Sequence, residues 1–150
     1  MLREDLIGAH YNMLNNTSCA PEPDFFATVL WHRVVGTLVL APNITVPANV
    51  SVFARDARNA SHATVYILVN LDDTKTASLE IPGTSSSSRL YLLQSASWAA
   101  AEPRKRLQAH TMLLNGQPLA LVGNQLPPLA GVPLSSPLSL PPLSAALLEL

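Results

Sequence analysis

The hydrophobic period of this chain changes once, at Gly36, and that change limits what it can fold into. Before it, Phe25, Val29, Trp31 or His32, and Val35 recur at helical spacing behind Pro23-Asp24. Asp24 suits an N-cap or first-turn position, because its carboxylate accepts orphan backbone N–H groups and its charge favours the positive end of the helix dipole. Arg33 near the last turn and Gly36 just past it are stop signals, so a helix of about three turns is predicted. From Thr37 onward the apolar runs become short, β-branched and alternating: residues 37–40, 50–55, 64–70 and 77–81 read as strands.

Within 64–70, Val65, Ile67 and Val69 alternate with Tyr66 and Leu68, so both faces are apolar and a central, doubly covered strand is expected. Gly83 and Thr84 with the serines 85–88 read as a flexible polar linker. Further strands are expected over 89–94, and over 107–114 joined to 119–122 by Asn115-Gly116. That pair tolerates positive φ at both centres of a type I′ turn, which makes it the best hairpin signal in the chain. The proline-rich stretch 126–142 is expected to wander over the surface, since each proline removes a ladder donor. Residues 144–150 read as a closing strand. Turn signals at intervals of about ten residues favour an antiparallel sandwich over a doubly wound parallel sheet.

Composition bears on partners and compartment more than on fold. With 48% hydrophobic and 13% charged residues and a net charge of −1, the chain is core-rich and has no global field to gather a polyanion. No nucleic-acid partner is therefore expected. The single cysteine, Cys19, excludes an intrachain disulfide and is expected to act as a buried or half-buried small hydrophobe. Five N-glycosylation acceptor triplets, beginning at Asn15, Asn16, Asn43, Asn49 and Asn59, fall within residues 15–61 and argue for a secreted or lumenal protein. The first residues, with Glu4 and Asp5 where an apolar core should run, do not form a signal peptide. Nor does any uncharged apolar stretch reach the length of a transmembrane helix, because prolines interrupt the apolar C-terminal tract.

The segment 3–15 (Arg3-Glu4-Asp5-Leu6-Ile7-Gly8-Ala9-His10-Tyr11-Asn12-Met13-Leu14-Asn15), then Pro23-Asp24-Phe25-Phe26 and Leu30-Trp31-His32-Arg33-Val34-Val35-Gly36, resembles the plant-type heparanase-like proteins of glycoside hydrolase family 79. The likeness continues more diffusely through Leu90-Tyr91-Leu92-Leu93-Gln94, Leu114-Asn115-Gly116 and Leu126-Pro127-Pro128-Leu129. It implies a (β/α)8 barrel that cleaves glucuronide linkages, followed by a C-terminal β-sandwich. On that reading residues 1–36 are the last βα unit of the barrel and residues 37–150 the sandwich. The fold class expected is mainly β, and the chain is a C-terminal fragment whose partner is the missing N-terminal barrel portion. The helix would then leave its apolar face exposed, and the isolated chain would be marginally stable.

Barrel active sites lie at strand C-termini, which here means the loop Ala9-His10-Tyr11. In the family a tyrosine and neighbouring backbone N–H groups at this place contact the uronic acid of the substrate. Tyr11 matches, while Ala9 and His10 depart from the usual Gly and Asn. A phenol can donate to a sugar carboxylate while its ring packs on the pyranose face. Retaining glycosidases need two carboxylates about 5 Å apart, and the family's catalytic glutamates lie upstream of this helix, so no residue here maps to them. Glu4 and Asp5 fall at the wrong end of the strand. Glu22 and Asp24 have capping roles, and Asp56, Asp72, Asp73, Glu80, Glu102 and Glu149 sit in sandwich turns or strands.

His10, His32, His62 and His110 are dispersed and one cysteine cannot complete a zinc site, so no metal and no cofactor is expected. Trp31-His32-Arg33 reads as a packing and helix-end feature. Arg104-Lys105-Arg106, with Arg89 and Lys75, could hold a sulfated or uronic polysaccharide, although a solvated turn after Pro103 is the plainer account. Two functions are compatible with these features: the C-terminal part of a heparanase-like β-glucuronidase, meeting a uronic-acid-containing glycan only within the complete enzyme, or a noncatalytic module that binds glycans or a protein.

Overall fold

The computed structural model describes residues 13–59, 63–100, 102, 105, 107–134 and 136–150. One helix, α1 (Pro23–Val34), runs directly into β1 (Val35–Leu40), followed by β2 (Val50–Ala57), β3 (Thr64–Asn70), β4 (Ala77–Leu79) and β5 (Arg89–Ser95). Then come β6 (Met112–Leu114), β7 (Gln117–Pro118), β8 (Val132–Pro133), β9 (Leu138–Leu140) and β10 (Ser144–Glu149). The main sheet has the order β1-β2-β3-β10-β5-β6-β7, with β8 also on β5, and β4 pairs with β9 in a separate ribbon. Every pairing is antiparallel. The fold is therefore mainly β, as the spacing of turn signals implied.

The alternation in β3 sorts the core into two clusters. Val65 and Ile67 face one way, into a cluster with Phe26, Leu30 and Val34 of α1 and Leu147 of β10. Tyr66 and Leu68 face the other way, against Leu79 of β4 and Leu138 and Leu140 of β9, with Ile44 and Val46 packed on the margin. β3 is covered on both faces as expected, but by a helix on one side and a two-stranded ribbon on the other. The closing strand β10 is inserted at the centre of the main sheet, pairing Leu147 with Ile67 on one flank and with Tyr91 on the other.

Several expectations are corrected. The most deeply buried stripe of α1 is Phe26-Leu30-Val34; of the stripe read from the sequence, Val35 is fully buried, Phe25 and Val29 are partly buried against the same cluster, and Trp31 remains 38% exposed. Both stripes are apolar, so period alone could not choose between them. The helix face does not stay bare: full burial of three such side chains contributes roughly 1.5–3 kcal/mol each, gained within the chain itself. Gly36 is not a left-handed helix cap. The C-cap is Val35 at φ −89°, ψ 127°, already extended, and Gly36 lies within β1, where an added Cβ would overlap the Asp56 carboxylate. Small size, not freedom of φ, is what that position requires.

Residues 83–88 are a structured turn, not a loose linker. Ser88 is fully buried, its N–H donates to the Ser85 carbonyl, and its hydroxyl accepts from the Ser85 N–H at 2.9 Å. The strand expected over 107–114 shrinks to β6, and of residues 119–122 the buried Leu119 donates its N–H to the Met112 carbonyl at 2.8 Å while Val122 forms an isolated bridge with Gln125. The hairpin itself is present: Asn115 and Gly116 both have positive φ, 50° and 81°, between paired Leu114 and Gln117. The proline-rich stretch supplies β8, β9 and buried Leu129, Leu138 and Leu140, because Leu138 and Leu140 alternate with Ser139 and can line the ribbon's inner face. Cys19 is exposed, at φ 56° in a tight turn. No helix among the described residues is long and apolar enough to cross a membrane.

Candidate functional site

Ala9, His10 and Tyr11, with the strand that would precede them, lie outside the described residues. The next segment, residues 13–22, doubles back through a bridge of Leu14 with Pro21, and the Glu22 N–H donates to the Met13 carbonyl at 2.9 Å. Asn15 organises the turn, its side-chain oxygen accepting from the N–H groups of Thr17 and Ser18 at 3.0 Å each. Its Nδ2 donates to Glu22 Oε1 at 3.0 Å, and Glu22 Oε2 meets His110 Nδ1 at 3.0 Å. Glu22 occupies the N-cap position of α1 without a side-chain capping bond. Its carboxylate instead ties the turn and His110, two residues before β6, to the helix start. The Asn15 bond, more than the opposing desolvation or the His110 contact, holds the Glu22 carboxyl below its ordinary pKa.

The other carboxylates are likewise engaged. Asp56 accepts from the Leu38 N–H at 2.8 Å. Asp72 closes a turn by accepting from the N–H groups of Thr74 and Lys75, which lowers its pKa. Glu80 accepts from Ser136, and Glu102 pairs with Lys105 at 3.0 Å. Burial first, and then the charge of Glu149, pushes the Tyr91 phenol upward. Among the described residues no three His, Cys, Asp or Glu side chains gather as a metal site. Of the basic candidates, Lys105 is spent on Glu102, Arg89 donates to the carbonyls of Ser86 and Ser88, and Arg104 and Arg106 fall outside the described residues.

Two hollows open on the α1 side of the main sheet. One, of about 390 Å³, lies between the first turns of α1 (Pro23, Ala27) and the ends of β3, β5 and β6, with Leu107 and Met112 on its wall. The other, of about 470 Å³, is lined by Trp31, Val39, Phe53, Arg55 and Ile67. The Arg55 guanidinium sits 5.8 Å from the Trp31 ring centroid and also donates to the Thr37 carbonyl. Val39 and Phe53 are more than half exposed. The second hollow, with Arg55 as its one polar side chain, lacks the converging polar groups that orient a small hydrophilic ligand, and suits packing against another apolar surface. Sequence reading did not single out this strip, although exposed Val39 and Phe53 fall on consistent faces of their strands once the register is known.

The polar residue least visible beforehand is Asn70, 1% exposed at the end of β3, and its contacts are structural. Its Nδ2 lies within 3.0 Å of the carbonyls of Lys75, Leu140 and Pro141, while its Oδ1 accepts from Asn49 Nδ2 and the Asp72 N–H. Period two from Leu68 places it on the core face, the signal that could have found it.

By sequence the chain is related to glycoside hydrolases of the heparanase-like kind. It is 28% identical to Heparanase-like protein 3 of Arabidopsis thaliana over 95% of its own length and 31% of that protein's. It is 27% identical to Baicalin-beta-D-glucuronidase of Scutellaria baicalensis over 79% of this chain and 21% of that enzyme. With Heparanase-like protein 1 of Arabidopsis thaliana it shares 32% identity over 47% of this chain and 13% of the relative. No protein-family model matches it. The chain thus spans less than a third of the length of the relatives it matches.

Proposed function

We propose that this chain is the C-terminal portion of a heparanase-like glycoside hydrolase acting on β-glucuronide linkages of glycans, and that it braces a (β/α)8 barrel instead of carrying the catalytic glutamates. The observation that carries this reading is the extent of the similarity: it runs along nearly all of this chain but less than a third of the heparanase-like relative. The engaged carboxylates support it, since Glu22, Asp56, Asp72, Glu80 and Glu102 each hold a hydrogen-bond or ion-pair partner within the fold. The bare strip of Trp31, Val39 and Phe53 gives the sheet a surface on which a barrel can rest. In this reading the protein is extracellular, in the cell wall, or in a lysosomal or vacuolar lumen, and Tyr11 contributes to the rim that holds the uronic acid.

Complementation tests the proposal. The Baicalin-beta-D-glucuronidase of Scutellaria baicalensis shortened by the segment matched here should lose its glucuronidase turnover, this chain alone should show none, and the two together should recover it. Turnover by this chain alone would overturn the reading. In the complete enzyme, Tyr11→Phe should raise KM for glucuronides with little change in kcat; unaltered kinetics would remove Tyr11 from the site. One observation favours an autonomous glycan- or protein-binding module: α1 buries its apolar stripe on this chain's own sheet. Glycan retention by the chain with no gain of turnover in the mixture would support that module.

A further inference from the structure

The five acceptor triplets are equivalent as sequence, but the fold treats them differently. Asn15 is half-buried, and its amide spans Glu22 and the turn it organises. Asn16 sits in that same turn with interactions of its own. Asn49 is half-buried, donates to the buried Asn70 carboxamide at 3.1 Å, and leads into a triplet whose Val50 is 5% exposed and whose Ser51 is paired with Val69. Asn59 donates to the Arg33 carbonyl at 3.3 Å at the end of α1.

Asn43 stands apart. It lies with Ile44 and Thr45 in the irregular segment 41–47 between β1 and β2, where no backbone group is committed to a ladder. Asn43 and Thr45 are exposed, while the half-buried Ile44 and Val46 anchor the segment on the ribbon-side cluster. No hydrogen bond of the Asn43 amide occurs within the described residues. An acceptor asparagine must present its carboxamide with the hydroxyl two residues on, in an open backbone, and then keep a bulky polar glycan in solvent.

We propose that Asn43 is an N-glycan acceptor of this protein, and that Asn15 and Asn49 are not. In the transfer, Asn43 Nδ2 forms a bond to the anomeric carbon of an oligosaccharide delivered on a lipid diphosphate. The anomeric C–O bond to that diphosphate breaks, the lipid diphosphate leaves, and the amide surrenders one of its two protons and keeps the other. A glycan here projects from the ribbon side, away from the α1 side where Trp31 and Phe53 are bare.

The test is secretion of the full chain from a eukaryotic host behind a cleavable leader, followed by enzymatic glycan release in heavy-oxygen water and peptide mapping. Asn43 should carry the released-site label, with Asn15 and Asn49 unlabelled. Asn43→Gln and Thr45→Ala should each remove one glycan mass without lowering the melting temperature, and Thr45→Ser should restore at least part of it. An unlabelled Asn43, a labelled Asn15 or Asn49, or a chain secreted with no glycan would each overturn the proposal.

Discussion

The Nδ2 of Asn70 lies 3.0 Å from the carbonyl oxygen of Leu140, a residue seventy positions away. That one amide, reaching also to Lys75 and Pro141, joins the end of β3 to the end of β9 and the start of β10. Its burial raises the cost of losing it, because the buried Leu140 carbonyl would be left without a partner. Asn70→Ala should therefore destabilise the fold by about 2–4 kcal/mol, several times the net value of one hydrogen bond. Equilibrium unfolding in urea would measure it, and a loss under about 0.5 kcal/mol would show that water substitutes for the amide.

Gly36→Ala tests the pairing of β1 with β2. The added methyl would overlap the Asp56 carboxylate, which would have to abandon the Leu38 N–H. A loss of roughly 1–3 kcal/mol is expected, in the range for overpacking. Asp56→Ala should lessen the penalty of the alanine at 36, so the two substitutions should couple in a double-mutant cycle.

Leu30, fully buried at the middle of the α1 stripe, fastens the helix to the sheet. Leu30→Ala should cost about 2–5 kcal/mol. Hydrogen exchange should show the loss first in the amides of α1, while those of β3 and β10 keep more protection. Uniform loss across helix and sheet would mean that the two unfold as one unit.

The Glu22 carboxyl is held below its ordinary value of 4.5, chiefly by the Asn15 amide. A depressed carboxylate contributes stability that is complete above its unfolded pKa and is lost as pH falls through the folded one. Thermal stability should accordingly drop as pH is lowered from about 4.5. Glu22→Gln should flatten that part of the curve, since the neutral amide has no charge to lose. Asn15→Ala should move the drop toward higher pH. An acid limb with the same slope in Glu22→Gln would assign the drop to other carboxylates, Asp72 foremost.

How much of this was legible beforehand differs from element to element. The strand 64–70 and the Asn115-Gly116 turn were readable because their signals are local: alternating apolar faces in the first, two residues that tolerate positive φ in the second. The end of α1 was placed correctly for a reason that proved wrong, since Gly36 answers to the Asp56 side chain and not to a left-handed cap. Glu22 looked like a helix cap, and its role depends on Asn15 and His110, seven and eighty-eight positions away. The loop Ala9-His10-Tyr11 rests on family resemblance alone and lies outside the described residues.

Taken alone, the amino-acid order determined the kinds of element, the antiparallel class and the relationship to heparanase-like proteins, because propensity, period and turn chemistry act over a few neighbouring residues. Tertiary structure decided which stripe of α1 is most deeply covered, that the final strand lies at the centre of the sheet, and that a proline-rich stretch completes the ribbon. It also left the Asn43 side chain exposed while Asn15 and Asn49 are half-buried with their amides bonded to Glu22 and Asn70. Those outcomes depend on contacts between residues far apart in the chain, where several apolar or polar choices satisfy the local rules equally and only simultaneous packing selects one.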